Sequence, residues 1–319
     1  MKRMIAMTLA LMLLLGLTAC GGAAPADDGK YTIGICQLVT HDALDAATKG
    51  FQDAVIAGLG EENVTFDLQN AAGDSNTCAS IANAFVAAEV DLIMANATPA
   101  LQNAQAATAD IPILGTSVTE YGVALDIKDF TGTVGGNGSG TSDLAPLDEQ
   151  AAMLQEWFPD AKNVGLLYCS AEANSKYQVD TIKALLEGKG YTCQMFPFAD
   201  SNDMPAVTNA ACEFSDVIYV PTDNAVASST DIIDGICRPA GVPIIAGEEG
   251  ICAGCGVATL SISYYDLGYK TGEMAVQILK GEADIATMEI AYAPATPKYN
   301  AEICTDLGLT APEGYAAIG

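Results

Sequence analysis

Histidine occurs once in this chain of 319 residues, at His41. A Ser-His-Asp hydrolase needs an imidazole as its base, so His41 alone would have to serve. No serine stands in a Gly-x-Ser-x-Gly elbow. A zinc site would be equally short of imidazole. Cys252-Ala253-Gly254-Cys255 forms a CxxC pair, but no second CxxC lies within ligand spacing. The pair sits in a glycine-rich stretch and reads as a structural disulfide or free thiols. No catalytic residue, cofactor or metal is therefore expected, and the chain is not read as an enzyme. Basic residues are also scarce: 13 Lys and Arg face 40 Asp and Glu, for a net charge of −27. Such a surface repels phosphate backbones and anionic headgroups, which excludes nucleic acid as a partner. A GxxxxGK[ST] phosphate loop is missing. The run at 135–140 (GGNGSG) is not in register for GxGxxG and reads as a flexible connector. The single tryptophan, Trp157, stands beside Phe158 and Pro159 and reads as a packing anchor.

Long apolar runs are missing as well, with one short exception at the start. Met1-Lys2-Arg3 is basic, residues 4–17 are apolar, and Leu17-Thr18-Ala19-Cys20 follows. The run is shorter than the roughly 20 residues of a membrane-spanning helix. It has the build of a secretory leader ending at a small-residue cleavage site, and Leu-Thr-Ala-Cys resembles the lipobox of bacterial lipoproteins. The expectation is a signal peptide at 1–19, lipid attachment at Cys20 and a flexible tether at 20–30. The protein would then be extracytoplasmic, held at the cell membrane only by its lipid. Loss of Lys2 and Arg3 with the leader takes the net charge from −27 to −29. Of ten cysteines, Cys20 leaves nine, an odd number, so at least one stays free. An extracellular setting permits disulfides and an anaerobic one leaves thiols reduced; the sequence does not choose.

Half of the residues are hydrophobic, and the length suffices for two lobes with their own cores. Short β-rich runs alternate with helical stretches, which predicts parallel sheets covered by helices. The pattern occurs twice. Residues 33–37 and 164–168 open the halves as strands. Each leads to a helix ending at Gly-x-Gly, Gly58 to Gly60 and Gly188 to Gly190, followed by a strand at 64–68 or 191–196. An acid then precedes an apolar strand, at Asp91 and Asp216, and a Pro-led strand follows, at Pro112 and Pro243. The offsets stay between about 125 and 131 residues. Two doubly wound α/β lobes are predicted. In such sheets, ligands sit beyond the carboxyl ends of the strands, so the polar residues there are the candidates. The first half offers Gln37, His41, Asn96, Thr98, Thr116 and Ser117. The second offers Ser170, Glu172, Asn174 and Ser175, then Thr222, Asp223 and Asn224, then Glu248 and Glu249.

Several stretches carry a family resemblance: residues 41–45 (HDALD), 137–143 (NGSGTSD), 172–175 (EANS), 221–224 (PTDN) and 258–268 (ATLSISYYDLG). Together they resemble ABC transporter substrate-binding lipoproteins of the type I periplasmic-binding-protein fold, in the group of tryptophan and aromatic amino acid receptors. The family usually has Val-Thr where Gly138-Ser139 stand, a change expected to loosen the first crossover strand. The resemblance implies two lobes joined by a three-strand hinge. The expected first lobe is 31–138 plus 264–283, and the second is 139–263 plus 284–319. It also implies closure on a small molecule, an aromatic amino acid first, and delivery to a separate ABC permease and ATPase. On that reading, Thr98, Thr116 and Ser117 would donate to the ligand carboxylate. Asp223, and next Glu248, would take the ammonium. Ser142, Asp143, Asn174 and Ser175 would orient it, and Tyr264, Tyr265 or Phe51 would meet its side chain. The rivals are a sensor presenting its closed form to a signalling receptor, and an importer of a nucleoside.

Overall fold

In a computed structural model of the chain, residues 30–318 are described. The leader, Cys20 and the tether up to residue 29 lie outside them. The first half runs β1 (Tyr31–Gln37), α1 (Asp42–Leu59), β2 (Val64–Asn70), α2 (Ser75–Ala87), β3 (Leu92–Asn96), α3 (Thr98–Ala107), β4 (Ile113–Val118), α4 (Tyr121–Ala124) and β5 (Gly138–Ser142). The second half runs α5 (Leu147–Trp157), β6 (Asn163–Cys169), α6 (Ala173–Gly188), β7 (Thr192–Phe198), α7 (Met204–Phe214), β8 (Val217–Val220), α8 (Asn224–Ala227), α9 (Thr230–Ala240), β9 (Ile244–Ala246), α10 (Glu249–Cys255) and β10 (Ala258–Ile262). The chain then crosses back for α11 (Tyr264–Leu279) and β11 (Ala291–Tyr292). It crosses a third time for β12 (Ala295–Tyr299), α12 (Ala301–Asp306) and β13 (Ala316–Ala317).

Two sheets result, in the orders β2-β1-β3-β4-β5-β11 and β7-β6-β8-β9-β10-β12-β13. All pairs are parallel except β10 with β12. The shared order 2-1-3-4-5 confirms the repeat, and the acid ahead of each third strand has the same duty in both halves. Asp91 accepts from the Thr32 amide at 2.6 Å, and Asp216 accepts from the Lys162 and Asn163 amides at 2.8 and 2.9 Å. Each therefore ties the start of the third strand to the start of the first. Of the paired glycines, the second in each half, Gly60 and Gly190, takes a positive φ. The central strands are buried on both faces, which explains their unbroken apolar runs. Phe51, Met94, Leu114 and Met274 pack on one face of the first sheet; Phe85, Ile93, Leu101 and Tyr121 pack on the other. In the second lobe, Trp157 anchors one core cluster and contacts the rings of Phe158 and Tyr315.

Helix α11 returns to the first lobe because glycines let it lie almost against the α1 backbone. A Cβ on Gly268 would stand 1.9 Å from the Ala47 carbonyl oxygen, and one on Gly50 would stand 2.1 Å from that of Tyr265. The lobe boundaries differ from expectation at two places. Residues 138–142 form β5, paired to β4 and β11, so they belong to the first sheet. Residues 284–292 belong there too: Ile285 packs in a first-lobe core cluster and β11 pairs with β5. The crossings therefore lie near 143–146, 263 and 293–294. The departure at Gly138-Ser139 leaves the strand paired. Gly138 makes room for Gln105, whose Nε2 lies 2.4 Å from where a Cβ would be, and the Ser139 hydroxyl donates to the Met288 carbonyl. Among the described residues, no helix is long and apolar enough to cross a membrane.

Candidate functional site

The carboxyl ends of the first-lobe strands carry unusual backbone. β3 leads into Ala97 at φ +90°, and the β4–β5 register shifts between Gly115 and Val118, with Ser117 at φ +54°. Non-glycine residues in the left-handed region are strained, and such strain gathers where a site needs a particular exposure. Ser117 is buried, and its Oγ has no hydrogen-bond partner. Asn96, at the end of β3, donates to the Leu44 carbonyl and to Thr48 Oγ1, which leaves its Oδ1 unpaired. Thr98 is buried at the first turn of α3.

Other expected residues brace the scaffold instead. The Gln37 amide donates to Asp45 at 2.6 Å and to the Val39 carbonyl, while its oxygen accepts from Thr48. Thr116 joins a chain of hydroxyls through Thr141 to Thr271, at 3.2 and 2.8 Å, linking β4, β5 and α11. The Ser142 hydroxyl donates to the Thr119 carbonyl and accepts from the Leu144 amide, which shapes the first crossing.

In the second lobe, one carboxylate gathers the expected residues into a network. Glu172 accepts from the Asn224 amide, the Asn224 side chain (2.6 Å), the Ala225 amide and the Asn174 side chain. Asn174 also donates to the Thr222 carbonyl and to Ser175, and its Oδ1 remains unpaired. The network reaches across the cleft: Asn224 Oδ1 stands 3.3 Å from His41 Nε2 on the first lobe. Burial holds the His41 pKa below its ordinary value against the opposing pull of Asn224, which favours the neutral ring.

Four buried acids adjoin the cleft, and their partners separate them. Asp223 caps α8: its oxygens accept from the Cys169 amide at 2.7 Å and the Val226 amide at 3.0 Å. Glu248 caps α10, accepting from the Gly250 and Ile251 amides. Glu172 is committed as described. Both oxygens of Asp223 and of Glu248, the acids expected to take the ligand ammonium, already accept from backbone amides, so each offers only its remaining lone pairs. Asp143, at the first crossing, differs. Its Oδ2 accepts from the Tyr264 hydroxyl at 2.9 Å, while its Oδ1 is buried without a partner. Burial pushes its pKa up to about 6, against the Tyr264 bond and the nearby Thr119 hydroxyl, which stands outside hydrogen-bond distance, and the Glu172 charge adds to the rise. Burial likewise pushes Glu248 up to about 7, with Asp143 contributing, and pushes Asp223 upward with help from Glu172. Burial thus disfavours the charged forms of these acids, and Asp143 alone among them keeps an oxygen without a partner.

Tyr265 does not join this group. It is 39% exposed and its hydroxyl donates to Asp53 on α1. Its neighbour Tyr264 is the buried aromatic that reaches Asp143, and Phe51 lies wholly inside the first-lobe core. The seam between the lobes holds two recesses. One of about 470 Å³ lies between Asp74–Asn76 and Glu172, Asp200 and Asn224. Another of about 640 Å³ lies beside the hinge, between Asp42 and Glu249. No group of acids, cysteines and histidine among the described residues is arranged to hold a metal.

Fold and site together define a two-lobed receptor that encloses a small molecule at facing strand ends. A family model described as ABC transporter substrate binding protein matches residues 32–314, and the chain belongs to that family. Members of this family work outside the cytoplasm, as the receptor components of ABC transporters. The chain is 37% identical over 288 residues to a tyrosine-binding protein of Clostridioides difficile, covering 88% of this chain and 83% of that one. It superposes on an ABC domain in complex with L-Trp from Streptococcus pneumonia with a TM-score of 0.85, at 32% identity, over 91% of this chain and 100% of that one. The ligand-free, open structure of a substrate-binding protein with adhesive properties from Clostridium difficile gives 0.69 at 38% identity, over 90% and 99%. Although its sequence is nearer the second, the lobes of this chain lie nearer the arrangement in the tryptophan complex. The His41–Asn224 contact across the cleft accords with that.

Proposed function

We propose that this chain captures a free aromatic L-amino acid between its lobes, without turning it over, and presents it to an ABC permease and ATPase. Lipid on Cys20 would hold it at the membrane. The observation that carries the reading is the set of unpaired buried polar atoms at the cleft ends: Asp143 Oδ1, Ser117 Oγ and Asn174 Oδ1. An α-amino acid matches them. Its ammonium bonds Asp143 Oδ1 and Asn174 Oδ1, and its carboxylate accepts from Ser117 near the start of α3, where the helix dipole favours negative charge. Tyr264 is the aromatic placed to meet the side chain. Relatives that bind tyrosine or tryptophan support the ligand class. Ligand bound from both sides favours the closed arrangement by its differential affinity for it.

The test is calorimetry on ligand-stripped protein against the twenty amino acids and a set of nucleosides. Binding confined to Phe, Tyr and Trp is expected. Binding of a nucleoside, with none by any amino acid, would keep the receptor and remove the ligand assignment.

A further inference from the structure

All nine cysteines of the described residues are free thiols, and their spacing in sequence does not reveal which of them meet. The CxxC pair is enclosed: Cys252 and Cys255 are both buried, and Cys255 Sγ donates to the Ile251 carbonyl. Cys36 and Cys78 do hydrogen-bond each other, but neither has any exposed surface. Cys212 on α7 and Cys237 on α9 are different. Their Sγ atoms stand 3.4 Å apart across the contact between the two helices, and Cys212 is partly exposed while Cys237 is buried. A disulfide needs the sulfurs about 2.05 Å apart, so closing the pair calls for little more than about 1.4 Å of combined sulfur movement.

We infer that Cys212 and Cys237 form a reversible disulfide site, oxidised by an organic disulfide, whether a small molecule or a thiol oxidase. Cys212 is the attacking sulfur because it is the accessible one. The hydrogen bond from Cys237 holds its pKa below the ordinary thiol value, and the same bond raises that of Cys237. The Cys212 thiolate attacks one sulfur of R–S–S–R. That bond breaks, Cys212–S–S–R forms, and R–S⁻ leaves to take a proton. Cys237 then gives its proton to solvent and attacks Cys212 Sγ, expelling the second R–S⁻, which is protonated in turn. Two protein thiols are oxidised and one disulfide is reduced to two thiols. The closed bond spans 25 residues, and these include β8 and the Asp223–Asn224 turn. The staple therefore fixes the base of a cleft segment without touching the ligand.

The test treats reduced, full-length protein with oxidised glutathione and follows intact mass, peptide mapping and melting. The expected product has lost two hydrogens, carries a 212–237 crosslink, melts about 5 °C higher and binds ligand unchanged. Cys237→Ser should stop at a stable glutathione adduct on Cys212. Cys212→Ser, with a reduced-state Tm equal to that of the unmodified chain, should form no crosslink to Cys237. A persistent adduct in the unmodified protein, a crosslink from Cys237 to Cys255, or an alkylatable Cys212 that glutathione leaves untouched would overturn the inference.

Discussion

Asp143→Asn keeps the shape of the side chain, removes its charge and puts an NH2 donor where the free oxygen stands, so it isolates the role of that oxygen. The Tyr264 hydroxyl retains an acceptor, and the first crossing keeps its packing. In the ligand-free protein, the carboxylate is buried with a pKa of about 6 in place of 3.8. At roughly 1.4 kcal/mol per pKa unit, ionising it in the closed protein at neutral pH costs up to about 3 kcal/mol. Opening of the lobes hydrates the group and reduces that figure. The sign follows from linkage: with a raised folded pKa, the group's contribution is fully present below its unfolded pKa and is lost as pH rises through about 6. The Asn variant should therefore melt at or above the Tm of the unmodified protein at pH 7.5 without ligand. With ligand the order reverses. A charge-assisted bond contributes roughly 1.5–3 kcal/mol, and an ammonium buried without its counter-charge adds to the loss. A deficit of about 3 kcal/mol corresponds to on the order of a 100-fold rise in Kd. Calorimetry on stripped protein reads the affinity and a melting scan without ligand reads the fold. A change in Kd below about threefold, with the fold intact, would mean that the Asp143 charge does not meet the ligand.

Affinity for the amino acid should fall as pH drops below about 6, because the ammonium binds the ionised Asp143 and must displace its proton. Calorimetry at pH 5 and 7.5 in buffers of different ionisation enthalpy would detect that proton, and a flat profile would argue against the pairing. His41→Ala removes a neutral contact across the cleft, worth about 1 kcal/mol, and should raise the ligand off-rate about fivefold in stopped-flow fluorescence without lowering the Tm. Asp223→Ala should act first on folding: loss of the cap of α8 and of the Cys169 anchor costs about 1–2 kcal/mol, read as a lower Tm. A large loss of affinity at unchanged Tm would return Asp223 to the ligand. Gly268→Ala forces a Cβ to 1.9 Å from the Ala47 carbonyl, so the α1–α11 contact must open, and a Tm drop of several degrees is expected.

The repeat made the two sheets readable, because strand, helix and turn signals recur at a nearly fixed offset and both copies obey the same packing rules. Asp91 and Asp216 match on that basis, and their bonds to the first strands are the same. The distribution of ligand contacts was less readable. A polar residue after a strand looks the same in sequence whether it caps a helix, as Asp223 and Glu248 do, or keeps an oxygen free, as Asp143 does. That depends on which backbone amides the next helix start aims at it. The choice between Tyr264 and Tyr265 turns on helix phase, where one residue moves a side chain by about 100°. The glycines of 135–140 read as a loose connector because their use in β5 depends on a neighbour, Gln105, remote in sequence. The 212–237 thiol contact had no spacing to announce it, since it arises from two separate helices packing together.

The most direct test of the receptor account is a crystal structure of the lipid-free chain grown with L-tyrosine. The amino acid should be enclosed between the lobes, its ammonium about 3 Å from Asp143 Oδ1 and its carboxylate at Ser117. An ammonium on Asp223 or Glu248, or a ligand in the outer recess beside Asp42, would contradict it.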